Sequence, residues 1–227
     1  DYIVNGVQDT GDKTFIKDIN HLPPAHIIKI NLNDSINSVK ENWWKPKISK
    51  SQNISFKYAV KNLRELFLES IKLHLRSDVP LGIALSGGID SSAIACCVKY
   101  LEPKTDIHTF SYIPNDNKIS EEPFIDIVNN HIKAIPHKIY VNSNELKRDI
   151  KDLISTQGEP FCTTSIYAQY RIFRAAKEAG IKVVLEGQGA DELLAGYHGY
   201  QGQRMRSLFE EGNYLRMIKF SNEWSKW

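Results

Sequence analysis

At 227 residues the chain is long enough to bury a sizeable core, and its 29 basic against 27 acidic residues leave a net charge of +2 that gives no general reason to expect nucleic acid. Its cysteines, Cys96, Cys97 and Cys162, are too few and too badly spaced for a disulfide framework or a zinc site, which suits a reduced, cytoplasmic setting. No apolar run approaches a membrane span and the first residues lack a charged-then-apolar leader, so neither a membrane nor a secreted protein is expected.

From Asp1 to about Asn53, short apolar groups (Tyr2-Ile3-Val4 and His26-Ile27-Ile28-Lys29-Ile30) are separated by Gly, Asp, Asn and Pro, which predicts strands and turns too few to make a whole domain. The polar stretch from about Asn31 to Asn53 reads as a linker in which Trp43 and Trp44 pack against the next domain. Phe56, Val60, Leu63, Phe67 and Ile71 recur at spacings of three and four, so Phe56 to Leu75 reads as an amphipathic helix with Ser55 as its cap. After Val79-Pro80, Leu81 to Leu85 is an apolar run of strand type, and Ser91 to Tyr100 reads as a helix. Ile107 to Tyr112 predicts a second strand, a polar loop leads to a helix from about Glu121, and Lys138 to Val141 predicts a third strand.

Helices are expected from Asn144 to about Thr156 and from Thr164 to Ala179, the second closed by Gly180. The β-branched run Ile181 to Leu185 then reads as a central strand. Strands alternating with helices predict an α/β fold, a parallel sheet flanked by helices with ligands at the carboxyl ends of the strands. A mostly helical tail comes after Tyr197, and the spacing of Gly196, Gly199 and Gly202 is a loop feature, not a repeat.

Only a short turn, Ser86-Gly87-Gly88-Ile89-Asp90-Ser91-Ser92, joins the strand after Pro80 to its helix. Glycines there let the backbone approach a ligand. The free N–H groups of the helix N-terminus and the hydroxyls of Ser86, Ser91 and Ser92 supply donors where the helix dipole favours negative charge. Asp90 is the oddity, because a carboxylate repels a polyphosphate unless a hard cation such as Mg²⁺ lies between them. An ordinary strand-to-helix turn capped by Ser or Asp is the bland alternative. A Walker A loop occurs nowhere, and Gly187-Gln188-Gly189 is followed by Ala190-Asp191-Glu192, which is not a dinucleotide fingerprint.

The Ser86 to Ser92 segment resembles the pyrophosphate-binding loop, S-G-G-x-D-S-S, of the N-type ATP pyrophosphatases. A second stretch, Leu185-Glu186-Gly187-Gln188-Gly189-Ala190-Asp191-Glu192-Leu193-Leu194-Ala195-Gly196-Tyr197, narrows the likeness to the synthetase domain of glutamine-dependent asparagine synthetases. The resemblance implies an adenine nucleotide alpha hydrolase-like (PP-loop ATPase) fold over residues 54–227. Residues 1–53 would be a β-rich remnant of a class II glutaminase domain with its linker. Thr14 to Ile19 followed by Leu22-Pro23-Pro24-Ala25-His26 looks like the closing segment of that domain, with Ala25 where the pattern usually has Gly. The family's glutaminase nucleophile is an N-terminal cysteine. This chain begins with Asp1 and has no cysteine before Cys96, so ammonia production is expected to lie outside it and the chain reads as a fragment cut at both ends.

By resemblance, Ser86, Gly87, Gly88, Asp90, Ser91 and Ser92 hold pyrophosphate, Asp90 with Asp191 binds Mg²⁺, and Leu85, Tyr112, Glu186 and Gly187 lie along the adenosine of ATP. Tyr112 equally suits a core aromatic at a strand end, and Asp191-Glu192 also suits the start of a helix. Glu159-Pro160-Phe161-Cys162 matches a family stretch before a helix and reads as well as a turn set by proline, with no role implied for Cys162. None of the seven histidines has metal-ligand spacing.

One departure concerns chemistry. The family's usual S-G-E-G-A-D-E has Glu186 here in place of Ser and Gln188 in place of the first Glu. In the family that Glu lies near the acyl-adenylate, and an amide offers hydrogen bonds but no general acid or base. Either Gln188 orients groups, or Glu186 takes over part of the role, or the acceptor acid differs. Gln188 and Glu186 are the catalytic candidates.

The implied reaction is ATP-dependent adenylation of aspartate with release of pyrophosphate, then attack by ammonia. Expected partners are small molecules: aspartate or a related acid, ATP and ammonia, the last normally from a glutaminase domain missing here. A homodimer is left open. Two other readings stand beside it: a related enzyme that amidates a sugar acid or closes a β-lactam ring, and a nucleotide-binding module without turnover.

Overall fold

The structure is a computed structural model that describes residues 2–6, 11–47, 54–116, 120–161 and 163–226, and the side chains of 34–37 are outside the description. Cys162, and most of the expected linker beyond Pro46, therefore lie outside the described residues. Two compact units are present: Asp1–Leu66 with Asn144–Tyr167, and Phe67–Ser143 with Ala168–Trp227.

In the first unit, Tyr2-Ile3-Val4, expected as a strand, forms a single helical turn α1 (Tyr2–Asn5). The Gly6 N–H closes the turn on the Tyr2 carbonyl, and among the described residues no strand lies beside it to supply a ladder. The apolar run at His26 does form a strand, β1 (His26–Asn31), and its partner β2 (Asp34–Asn42) occupies residues expected as linker. The two pair antiparallel from His26↔Asn42 to Asn31↔Asp34, with a register shift between Ile30 and Asn31. Polar composition hid β2, because the described side chains of both strands are largely exposed and among them no buried face imposes alternation on the sequence. Trp43 and Trp44 are 68% and 55% exposed, and neither is a packed anchor. Ala25 takes φ +58°, the left-handed region where the resemblance led one to look for glycine. Helix α2 (Phe56–His74) begins as expected, with Ser55 Oγ accepting from the Tyr58 N–H at 3.3 Å. In α5 (Ser143–Gln157) the buried carboxylate of Asp149 accepts from the Tyr167 hydroxyl at 2.9 Å.

The second unit carries the sheet. Its elements are β3 (Leu81–Ala84), α3 (Ile89–Leu101), β4 (His108–Ile113), α4 (Glu122–Ile132), β5 (Ile135–Tyr140), α6 (Ser165–Glu178, from Ala168 on), β6 (Val183–Leu185), α7 (Ala190–Leu194), α8 (Tyr200–Glu210) and α9 (Tyr214–Trp224). The strand order is β5-β4-β3-β6 and every neighbouring pair is parallel, as the alternating pattern predicts. Expected central, β6 is instead an edge strand of the described sheet, with Val183 37% exposed. β-Branched residues report a fit to a pleated surface and do not say how many strands lie beyond it.

Side-chain alternation sorts the two faces of this sheet. On one, Ile83, Leu85 and Ile113 pack with Ile71, Ile94, Ala95, Val98 and Ile125 of α2, α3 and α4. There Thr109 Oγ1 donates to Asn129 Oδ1 at 2.7 Å, and Lys138 bridges Glu122 at 2.8 Å and Asp126 at 2.6 Å, tying edge strand β5 to α4. On the other, Phe110 is fully buried and stacks on His137 at 4.5 Å between ring centres. A Cβ on Gly82 would lie 2.7 Å from Phe110 Cε2 and 3.0 Å from Ile181 Cγ2, so only glycine lets that ring sit against β3. Gly180 closes α6 at φ +75°, with its N–H on the Lys177 carbonyl.

Candidate functional site

In a parallel sheet a crevice opens where connections leave two adjacent strands in opposite directions. Here the chain runs from β3 to β4 and β5 on one side and returns to place β6 on the other, so β3 and β6 flank the switch point. The pairs Leu81↔Val183, Gly82↔Val184 and Ile83↔Leu185 bring their carboxyl ends level. Both motif loops emerge there, although one hundred residues separate Leu85 from Leu185.

Around the first loop the geometry is built from the serines. The Ser86 N–H donates to Ser91 Oγ at 3.2 Å, the Ser86 and Ser91 hydroxyls are 3.0 Å apart, and Ser91 Oγ donates to the Gly88 carbonyl at 3.3 Å. The Gly88 N–H donates to Ser86 Oγ at 3.2 Å. Ser91 is buried and committed to this network, whereas Ser86 is exposed and Ser92 half-buried. Gly87 has φ +88°, and a Cβ there would lie 3.0 Å from the Glu121 carbonyl oxygen and 3.1 Å from Ile125 Cγ1. Conformation and space thus both require glycine at that position. Helix α3 starts at Gly88 without a side-chain cap, which leaves its first N–H groups directed at the crevice.

Leu85 is buried at 1% exposure and its N–H continues the ladder to the Phe110 carbonyl at 2.9 Å, so only its backbone is offered to a ligand. Tyr112 is half-buried at the carboxyl end of β4, on the face that carries Phe110.

The second loop closes against the first. A Cβ on Gly187 would lie 3.2 Å from Asp90 Cβ and 3.4 Å from the Ser91 nitrogen, which places Gly187 and Asp90 side by side. Glu186 Oε2 accepts from Gln169 Nε2 of α6 at 3.2 Å, and Gln188 is exposed. Asp191, in the first turn of α7, directs its carboxylate over Gly196, where a Cβ would lie only 1.8 Å from Oδ1. The Tyr197 hydroxyl donates to Glu192 Oε1 at 2.9 Å. That bond, with burial and the charges of Glu192 and Asp191, holds its pKa above the ordinary tyrosine value.

The sequence reading missed Gln169 and gave Gly196 no role. Only a contact across 17 residues reveals the first, and only the Asp191 carboxylate explains the second. Among the described residues no three His, Cys, Asp or Glu side chains converge as a metal site, and no helix is long and apolar enough to cross a membrane. One cleft, lined by Pro80, Leu81, Glu102, Asp106 and His108, opens at the amino ends of β3 and β4 and reaches Leu185, where the second motif stretch begins.

A family model described as asparagine synthase matches residues 62–226. Asparagine synthetase B (glutamine-hydrolysing) of Escherichia coli is 34% identical over 168 residues, covering 66% of this chain and 29% of that protein. Asparagine synthetase (glutamine-hydrolysing) 2 of Bacillus subtilis is 28% identical over 195 residues, covering 81% of this chain and 26% of that protein. This chain spans about a third or less of the length of the curated relatives it matches. Among solved structures, an ammonia-dependent NAD synthetase of Campylobacter jejuni has a TM-score of 0.40 at 16% identity over 64% of this chain and 62% of that one, a likeness that carries no argument.

Proposed function

The chain belongs to the asparagine synthase family, and from that premise we propose that its second unit is the nucleotide-binding part of an ATP-dependent amide-forming ligase that adenylates aspartate and passes the activated acyl group to ammonia. The observation that carries this reading is the meeting of both motif loops at the β3/β6 switch point, with Gly187 against Asp90. Residues 54–227 are proposed as the synthetase portion and residues 1–53 as the remnant of a glutaminase domain with its linker. Ammonia would come from the part of the protein that carries the glutaminase.

A carboxylate is a poor electrophile at neutral pH because its oxygen is a poor leaving group. One of its oxygens attacks the α-phosphorus of ATP, the bond to the bridging oxygen breaks, and pyrophosphate leaves. Ammonia then adds to the acyl carbon, loses a proton, and expels AMP. This chain's contribution is positioning and charge stabilisation. The N-terminus of α3, Gly87 and Gly88, with the hydroxyls of Ser86 and Ser92, holds the departing pyrophosphate, while Ser91 keeps the loop in shape.

Asp90 and Asp191 would hold Mg²⁺. Asp90 lies beside Gly187 and Asp191 stands four residues further on in the first turn of α7, and carboxylates of this kind suit a hard cation. When bound, the ion offsets phosphate charge. Leu85, Tyr112, Glu186 and Gly187 border the nucleoside. Gln188, unable to act as an acid or base, orients the acyl-adenylate by hydrogen bonds, with Glu186 as the alternative carrier of that role.

Pyrophosphate release from Mg²⁺-ATP with ammonium, compared between aspartate, other carboxylic acids and none, tests the reading. Dependence on aspartate with asparagine and AMP as products supports it, a requirement for another acid moves the substrate, and release with no acid dependence refutes it. Asp90→Asn is expected to weaken Mg²⁺-dependent ATP binding greatly while leaving the circular dichroism spectrum intact. Unchanged affinity by calorimetry would remove this account of the loop.

A further inference from the structure

Residue 186 carries a carboxylate where the family pattern has serine, and its surroundings suggest a use for it. Building on the nucleotide reading above, we infer that Glu186, oriented by Gln169, accepts the hydroxyls of the nucleotide's ribose and makes the site selective for ribonucleotides over 2′-deoxyribonucleotides.

Strand register sets the geometry. Gly82 pairs with Val184, and the missing Cβ of Gly82 faces Phe110 and Ile181. Alternation therefore puts Gly82, Ala84, Val184 and Glu186 on one face of the sheet, together with Phe110 and Tyr112 of β4. Gly187 turns the opposite way, toward Asp90 and Ser91 at the phosphate loop. A nucleotide with its phosphates at the start of α3 must cross the end of β3 to bring its sugar to the Glu186 side. Continuing the register Ile83↔Leu185 brings Glu186 level with Ala84, which pairs with Phe110, and Tyr112 lies two residues further along β4 on the same face; two strand spacings, about 10 Å, between β6 and β4 leave the width of a nucleoside.

Chemistry then selects the sugar. Carboxylate oxygens accept hydrogen bonds, and the Gln169 amide bond at 3.2 Å occupies one lone pair of Oε2. The remaining acceptors match two adjacent hydroxyl donors. Phosphate oxygens are excluded by like charge, and most of the purine edge presents acceptors. A carboxylate on a ribose hydroxyl is also how dinucleotide folds read that sugar. Gln169 is thus a positioning residue. Its amide fixes the carboxylate plane, and Gln188 is left to the acyl side.

The test is calorimetric titration of the 227-residue chain with Mg²⁺-ATP and Mg²⁺-2′-deoxy-ATP. The unaltered chain is expected to prefer ATP by about tenfold or more, since a hydrogen bond to a charged group is lost with the 2′-hydroxyl. Glu186→Ala, and independently Glu186→Ser, should bring the preference close to onefold by weakening ATP binding with little change for the deoxynucleotide. Gln169→Leu should lower the preference several-fold without abolishing binding, a change in ratio that a merely structural role would not produce. Equal affinity of the unaltered chain for both nucleotides, or a preference that survives Glu186→Ala and Glu186→Ser, overturns this inference alone. Failure of the unaltered chain to bind either nucleotide overturns the parent nucleotide reading and this inference with it.

Discussion

Ser91 is assigned to pyrophosphate by resemblance, yet its geometry makes it a structural residue of the loop, and Ser91→Ala separates the two roles. The substitution removes an acceptor for the Ser86 N–H, the contact with the Ser86 hydroxyl, and the bond to the Gly88 carbonyl. At a net worth of about 1 kcal/mol each these total about 3 kcal/mol. Alanine's helix propensity returns about 0.5 kcal/mol, and two of the bonds are long, so the expected loss is about 2 kcal/mol. For a chain of this size that is a fall of about 4–8 °C in the melting transition of the second unit, read by near-ultraviolet circular dichroism. Ser92→Ala at the next position, with no such network, should leave the transition within about 0.5 kcal/mol and lower only ATP affinity. A Ser91→Ala protein that melts with the parent but loses nucleotide affinity would refute the structural assignment.

Three further outcomes rest on particular contacts. Gly196→Ala places a Cβ 1.8 Å from Asp191 Oδ1, so the carboxylate must rotate away; the Mg²⁺ dependence of ATP binding should weaken strongly while thermal stability falls by no more than about 1 kcal/mol. Ala25→Gly relieves a left-handed alanine and should stabilise the first unit by about 0.5–1 kcal/mol in urea denaturation, the gain in backbone strain outweighing the added freedom of the unfolded chain. His137 has its pKa lowered by burial and then by the neighbouring His108, whose Nδ1 lies 2.9 Å from its Nε2. The unfolded chain therefore binds more protons in the window between the lowered and ordinary histidine values. Stability should fall as pH drops through that window from about 7, and His137→Phe should flatten the difference seen by denaturation at successive pH values.

Much of the site was legible because its signals are local. The turn from Ser86 to Ser92 stands out through residue types in one short stretch, and apolar spacing located α2, α3 and the strands of the second unit within a few residues. Where no local signal exists the reading failed. The described side chains of the β1/β2 hairpin are largely exposed, and they bury no face that would impose alternation on the sequence. Tyr2-Ile3-Val4 has strand composition but no partner strand among the described residues, and a run that short takes whichever hydrogen bonds its surroundings provide.

By itself the sequence determined the α/β class, the glycine- and serine-rich turn from Ser86 to Ser92, the presence of Asp90 and Asp191 in the two motifs, and the departures at Glu186 and Gln188, since these depend on the order of residues along the chain. Only the tertiary structure decided that β6 lies at the edge beside β3, that Gly187 lies beside Asp90, and that Gln169 holds Glu186. Those facts join residues from 17 to about a hundred positions apart, and such pairings arise when separate strands and helices bury their apolar faces together, a choice made by the packing of the whole unit and written in no single stretch of chain.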